Sequence, residues 1–192
     1  MLKKEKLLNF CVSVLLKLNM DGDKALKTSE ILIEADMMGH STHGTRLLPM
    51  YISDIEKGNM RVSGEVEIIK DTGPCVTWDG KLLPGIWLTH EAISLASKRS
   101  KKHGVVTVLV GNSHHNGALA AYMLPFVKRG LLVLIGTLSK DEQNKIFLGF
   151  EKYCIFDRNL IEEIRGFEVS KTSSQKNTLR FLRILISIFT NP

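Results

Sequence analysis

Apolar side chains recur at three- and four-residue intervals over residues 3–19 (Leu7, Cys11, Val14, Leu15, Leu18), and the run ends at Asn19-Met20-Asp21-Gly22. That is the pattern of an amphipathic helix and its stop. Asp23 is placed to cap a second helix over residues 24–38, with Ile31, Leu32, Ala35 and Met38 on one face and Gly39 as terminator. A third helix is expected from Arg46 to Lys57, stopping at Gly58. Beyond it the texture changes. Residues 66–70 and 75–79 read as short strands around the turn Asp71-Thr72-Gly73-Pro74. Residues 86–102 then read as an amphipathic helix, and the β-branched run 105–110 suits a strand buried on both faces. Another helix over 117–129 and another buried strand over 131–137 complete the alternation. Strand, helix, strand, helix, strand predicts a parallel α/β layer behind a helical opening.

After Ser139 the pattern breaks. Six of the eight phenylalanines lie beyond that point, and no alanine follows Ala121. The closing basic-apolar stretch, Arg180 to Phe189, suits a helix and continues no recognisable α/β alternation. Three segments are therefore expected: a helical part over 1–60, an α/β part over 61–139, and a divergent tail over 140–192. A truncated or out-of-frame product would explain the shift in composition, with a separately evolved tail as the alternative.

Composition narrows the class. Hydrophobic residues make up 44% of the chain, enough for a real core. The apolar runs 105–110 and 131–138 are too short to span a bilayer, and Arg183 interrupts the last one. The start, Met1-Leu-Lys-Lys-Glu, mixes charges where a signal peptide would be apolar. Three widely spaced cysteines, Cys11, Cys75 and Cys154, argue for reduced thiols and a cytoplasmic setting. The net charge of +6 comes from scattered basic residues. Its densest group, Lys98 to Lys102, ends a predicted helix, where cations complement the dipole. Neither a nucleic-acid nor a membrane partner is expected, although the charge favours anionic small molecules.

Chemistry concentrates in two glycine-bounded loops, Gly39-His40-Ser41-Thr42-His43-Gly44-Thr45-Arg46 and Gly111-Asn112-Ser113-His114-His115-Asn116-Gly117. The second follows a buried strand, where α/β proteins place ligands. Each histidine taken singly is more often an ordinary polar turn residue. Taken together, the two clusters point to a site. Histidine titrates near neutrality, so it can give a proton to a carbonyl oxygen as hydride arrives, or remove it in reverse. Arg46 offers a planar fork for a carboxylate. A rival reading has His40, His43, His114 and His115 bind a metal. No cysteine or carboxylate completes a metal signature around them, so no metal is assigned. No Gly-x-Gly occurs, which excludes the usual dinucleotide fingerprint and the P-loop.

Ala35-Asp36-Met-Met-Gly39-His40-Ser41-Thr42-His43-Gly44, with Tyr51 and Gly58 following at the right spacing, resembles the malate/L-lactate dehydrogenase family. Asp71-Thr72-Gly73, Trp78-Asp79-Gly80, His103-Gly104-Val105 and Asn112-Ser113-His114-His115 are similar to later family motifs in the same order, so the likeness covers roughly residues 5–139. It implies a non-Rossmann, sulfolactate-dehydrogenase-like α/β fold, truncated here, and a homodimer. The implied reaction is hydride transfer between NAD or NADP and a 2-hydroxyacid or 2-oxoacid. His115 and His43 each match a histidine assigned to proton transfer in some members; the role is assigned here to His115, with His43 orienting the substrate oxygen. Thr42, Arg46 and Tyr51 are implied on the substrate side, and Ser139 at the nicotinamide. Thr42 replaces the family's serine, Leu47 stands where its substrate-binding arginine falls, and Asn116 replaces a phenylalanine. A non-catalytic remnant lacking most of the cofactor site is the alternative.

Overall fold

The computed structural model describes residues 3–140, 146–147 and 183–190. Three helices open the chain: α1 (Lys4–Lys17), α2 (Gly22–Met37) and α3 (Leu48–Glu56). The capping residue of α2 is Asp21 rather than Asp23. Asp21 also binds the buried Lys24 ammonium at 3.0 Å and accepts the Gly64 amide, so the helix starts where that carboxylate is already anchored. Lys24 lies 4.1 Å over the Trp87 ring, a cation–π contact joining α2 to the helix over Gly85–His103. Gly39 and Gly58 take positive φ and end their helices as expected. The third helix starts two residues later than the pattern predicts, because Thr45–Leu47 forms a 3-10 turn and Pro49 occupies the first α-helical turn.

Strands β1 (Glu67–Asp71) and β2 (Cys75–Asp79) form an antiparallel hairpin. Its turn is held by Asp71 accepting the Gly73 amide and by Arg99, whose guanidinium grips both Asp71 oxygens at 2.6 and 2.7 Å. That pairing holds the Asp71 carboxyl down at about 2. Helix α4 (Gly85–His103) then crosses to β3 (Val105–Gly111), which runs parallel to β2, as the alternation predicts. Ile86, Leu88, Ala92, Ile93 and Ala96 of α4 are fully buried, as are Val106, Val108 and Val110 of β3. Burial on β3 alternates, however: Val105 is exposed, while Thr107 and Leu109 are half-buried. Among the described residues, then, only one face of that strand is fully buried, the face carrying the valines.

The helix expected over residues 117–129 is broken into a 3-10 turn (Leu119–Tyr122) and α5 (Leu124–Val127). Pro125 is the reason, since it has no N–H to continue a helix and is tolerated only in a first turn. Strand β4 (Leu131–Lys140) follows, longer than expected, with β5 (Ile146–Phe147) paired to its end. The largest departure is β6 (Arg183–Thr190). The stretch expected to be helical is a strand that lies antiparallel between β3 and β4, giving the order β1-β2-β3-β6-β4-β5. Ile184-Leu185-Ile186-Ser187-Ile188-Phe189 is rich in β-branched residues, and β pairing on both edges overrides a weak helical pattern. Leu15, Leu32 and Tyr51 join Ile86, Val108 and Val110 in one buried cluster, so the helical opening and the sheet share a core. Among the described residues no helix is long and apolar enough to cross a membrane.

Candidate active site

The two parallel strands β2 and β3 end side by side, and the loops that follow them are laced together. The Gly80 amide donates to Gly111 O at 2.7 Å, Leu82 N to Asn112 O at 2.7 Å, and His114 N to Leu83 O at 3.3 Å. Asp79, the last residue of β2, accepts both Lys81 N and Asn112 Nδ2 on one oxygen. Asn112 itself takes positive φ, which asparagine tolerates better than most residues. The loop then lies directly on the first turn of α4. A Cβ at Gly85 would fall 2.0 Å from His114 O and 2.6 Å from His115 O. Glycine at this position is a condition for the histidine backbone being where it is.

The other histidine loop is built on Asp36. Its carboxylate accepts Thr45 N at 2.9 Å and Thr45 Oγ1 at 2.6 Å. A Cβ on Gly44 would sit 1.9 Å from the same carboxylate. This closes a tight 3-10 turn, Ser41–His43, that carries His43 toward the second loop. The His43 and His115 rings stack with centroids 5.7 Å apart and planes 21° from parallel. Thr42 Oγ1 shares a hydrogen bond with His43 Nδ1 at 3.0 Å.

Tyr51, on α3, is 1% exposed, and its hydroxyl lies 3.1 Å from His115 Nδ1. The Gly117 amide donates to the same nitrogen at 3.1 Å. A nitrogen accepting from an amide carries no proton, so the neutral His115 ring has its hydrogen on Nε2. Burial pushes the His115 imidazole down to about 4, and the nearby His43 and His114 rings add repulsion against its charged form. At neutral pH it is an uncharged N–H donor. Burial raises the Tyr51 phenol, with the Asp54 carboxylate adding to the shift, so Tyr51 stays protonated throughout the physiological range.

This depression of His115 makes stability depend on pH. The unfolded ring takes up a proton near 6.5 and the folded ring only near 4, so acidification through that window favours unfolding. A loss of about 3 kcal/mol is expected between pH 7 and pH 4, with His114, also lowered by burial, adding in the same direction. Urea midpoints measured across that range should fall steeply for the natural chain and more gently for His115→Gln. Equal slopes would show that His115 is not the titrating group.

The sequence-predicted residues are thus partly brought together. His43, His115, Thr42 and Tyr51 form one contact network, whereas Arg46 lies exposed on its 3-10 turn. Ser139 lies in β4 with its backbone opposite Phe147, and its side chain falls outside the described residues. Among the described residues no group of three or more His, Cys, Asp or Glu side chains converges on a metal position. Asp36, Asp54, Asp79 and Gly85 are the structural supports that periodicity does not mark. Two of them were visible only as neighbours in the motifs Ala35-Asp36 and Trp78-Asp79-Gly80.

Comparison with known proteins agrees with this geometry. The chain is 30% identical over 111 residues to hydroxycarboxylate dehydrogenase B of Escherichia coli O157:H7, covering 58% of this chain and 31% of that protein. It spans about a third of the length of such curated relatives. Among solved structures, the malate dehydrogenase of Entamoeba histolytica superimposes with a TM-score of 0.69 at 29% identity, covering 72% of this chain and 38% of that one. A putative malate/lactate dehydrogenase from E. coli superimposes over 99% of this chain and 76% of its own, with a TM-score of 0.70 at 16% identity, a likeness of fold alone. The malate/L-lactate dehydrogenase family model matches residues 2–152, running past Ser139 into the segment that looked divergent, and the chain belongs to that family.

Proposed function

We propose that this chain carries the substrate and proton-transfer half of an NAD- or NADP-dependent 2-hydroxyacid dehydrogenase. The observation that carries the reading is the state of His115: neutral, with Nδ1 committed to Gly117 and Tyr51 and its proton therefore on Nε2. Imidazole, phenol and threonine hydroxyl move protons and not hydrides, so a site built from them fits an external hydride carrier. The nicotinamide supplies that hydride when bound, and Ser139 in β4 is the residue that would hold it. The Nε2–H of His115 donates to the carbonyl oxygen of a 2-oxoacid and polarises it. As that oxygen gains charge it takes the Nε2 proton, and the negative charge passes to the His115 ring, where the Gly117 amide and the Tyr51 hydroxyl at Nδ1 stabilise it until water returns a proton to Nε2. His43, stacked against His115, orients the same oxygen, and Thr42 steadies His43 through their hydrogen bond. Tyr51, being buried, acts through His115 rather than on substrate. Arg46, exposed at the rim, attracts the substrate carboxylate. A homodimer and a cytoplasmic setting belong to the same reading. Exposed Phe10, Met37, Ile68 and Ile69 supply apolar surface for a partner, and Cys11 and Cys75 are free thiols.

The purified chain titrated with NADH and NADPH, followed by reduced-nicotinamide fluorescence, tests the proposal. Saturable binding, followed by oxidation of the cofactor with a 2-oxoacid panel, is the expected result. Absence of binding by a folded sample would favour the alternative reading, in which this chain by itself is non-catalytic.

A further inference from the structure

Helix α3 grips both histidines of the second loop, and only one of the two grips enters the reaction above. Tyr51 and Asp54 stand three residues apart, on adjoining positions of one helical surface. The Tyr51 hydroxyl reaches His115 Nδ1, while Asp54 Oδ2 lies 3.1 Å from His114 Nε2. The His114 ring in turn stands edge-on to the Tyr51 ring, with centroids 5.6 Å apart and planes at 85°. The four side chains close a circuit: α3 to Tyr51, Tyr51 to His115, along the peptide to His114, and back through Asp54 to α3. His114 is 12% exposed and Asp54 23%. Among the described residues His114 Nδ1 is buried with no hydrogen-bond partner, so the Asp54 bond is the polar contact that orients the ring.

We propose that Asp54 and His114 are positioning residues for His115: the carboxylate holds the His114 ring, and that ring holds Tyr51 where its hydroxyl stays on His115 Nδ1. The significance for catalysis rests on His115 being the proton-transfer group. The groups facing His115 are Tyr51 from α3, His43 from the 3-10 turn, and His114 with the Gly117 amide from its own loop, while Asp54 of α3 faces His114. Of these, His114 stands edge-on against the Tyr51 ring. Without Asp54 the His114 ring turns, Tyr51 loses its flank, and water reaches His115 Nδ1. His115 then regains proton affinity and populates both neutral tautomers.

The test is an NMR titration of the full chain with 15N-labelled histidine, the His115 signals being identified by their loss in His115→Gln. In the natural chain His115 should show one tautomer, Nε2–H, and titrate near 4. Asp54→Ala should raise its proton affinity by about tenfold or more, one pKa unit, and mix the tautomers. Asp54→Asn keeps an acceptor oxygen and should preserve the natural signature, which a purely electrostatic role would not. His114→Ala should reproduce Asp54→Ala, and decides the matter if Asp54→Ala folds poorly. His115 titrating unchanged in either folded alanine variant overturns the proposal. No turnover is needed, so failure to bind nicotinamide sinks the proposed function while leaving this inference to its own result.

Discussion

Substituting glutamine for His115 is expected to lower the turnover of a 2-oxoacid by about 10²- to 10⁴-fold, the usual contribution of a positioned general acid. Glutamine keeps an N–H donor of similar reach but cannot surrender its proton, so the loss should fall on kcat more than on KM. Nicotinamide binding should be unchanged, because the residue acts on the substrate oxygen. His43→Gln should cost less, since its ring orients and does not transfer. A larger loss at His43 than at His115 would reverse the two assignments. The natural chain should also keep its reductase activity nearly constant from pH 8 to pH 5. The working form of His115 is neutral, and protonation removes it only as pH falls through about 4.

Alanine at Gly85 is expected to disturb the molecule strongly. The added carbon would meet the carbonyl oxygens of His114 and His115 at 2.0 and 2.6 Å and the His115 carbonyl carbon at 2.7 Å. These neighbours are backbone, so no side-chain rotation relieves the contact. Either the loop lifts from α4 or the first turn of α4 shifts, at a cost of about 3 kcal/mol, the upper part of the range for overpacked sites. Thermal or urea denaturation measures that cost. Because the displaced atoms belong to the two histidines, activity should fall together with stability, and the His115 NMR signals should show it with no substrate present. Serine would meet the same backbone and should do no better. A Gly85→Ala chain of natural stability and natural histidine spectrum would mean that the loop does not rest on α4.

Much of this arrangement was legible in the sequence, for reasons that differ from element to element. Helices α1 to α4 announced themselves because each keeps an apolar face at helical period and stops at a glycine or asparagine that takes positive φ, namely Asn19, Gly39, Gly58 and Gly104. Those are local properties, settled within a few residues of chain. The β1–β2 hairpin was equally local, its turn written in Asp71-Thr72-Gly73-Pro74. The two histidine loops stood out because polar, glycine-bounded segments between apolar elements have few other uses.

Tertiary structure decided the rest. Whether residues 183–190 form a helix or a strand depends on two edges offered by β3 and β4, more than forty residues upstream. No local pattern contains that information. The break at Pro125 was available locally but was masked by the apolar periodicity on either side. The meeting of His43 with His115, 72 positions apart, follows from α3 and β3 packing on one core. Only that packing places Tyr51 against His115 and Asp54 against His114. A carboxylate such as Asp54 reads as a solvated helix face until its partner 60 residues away is known. Residue types and helix stops were thus set by the sequence through short-range sterics and periodicity. Which nitrogen of His115 bears a proton, and how tightly it is held there, was set by burial and by donors brought from elsewhere in the fold, because proton affinity responds to surroundings that sequence separation does not reveal.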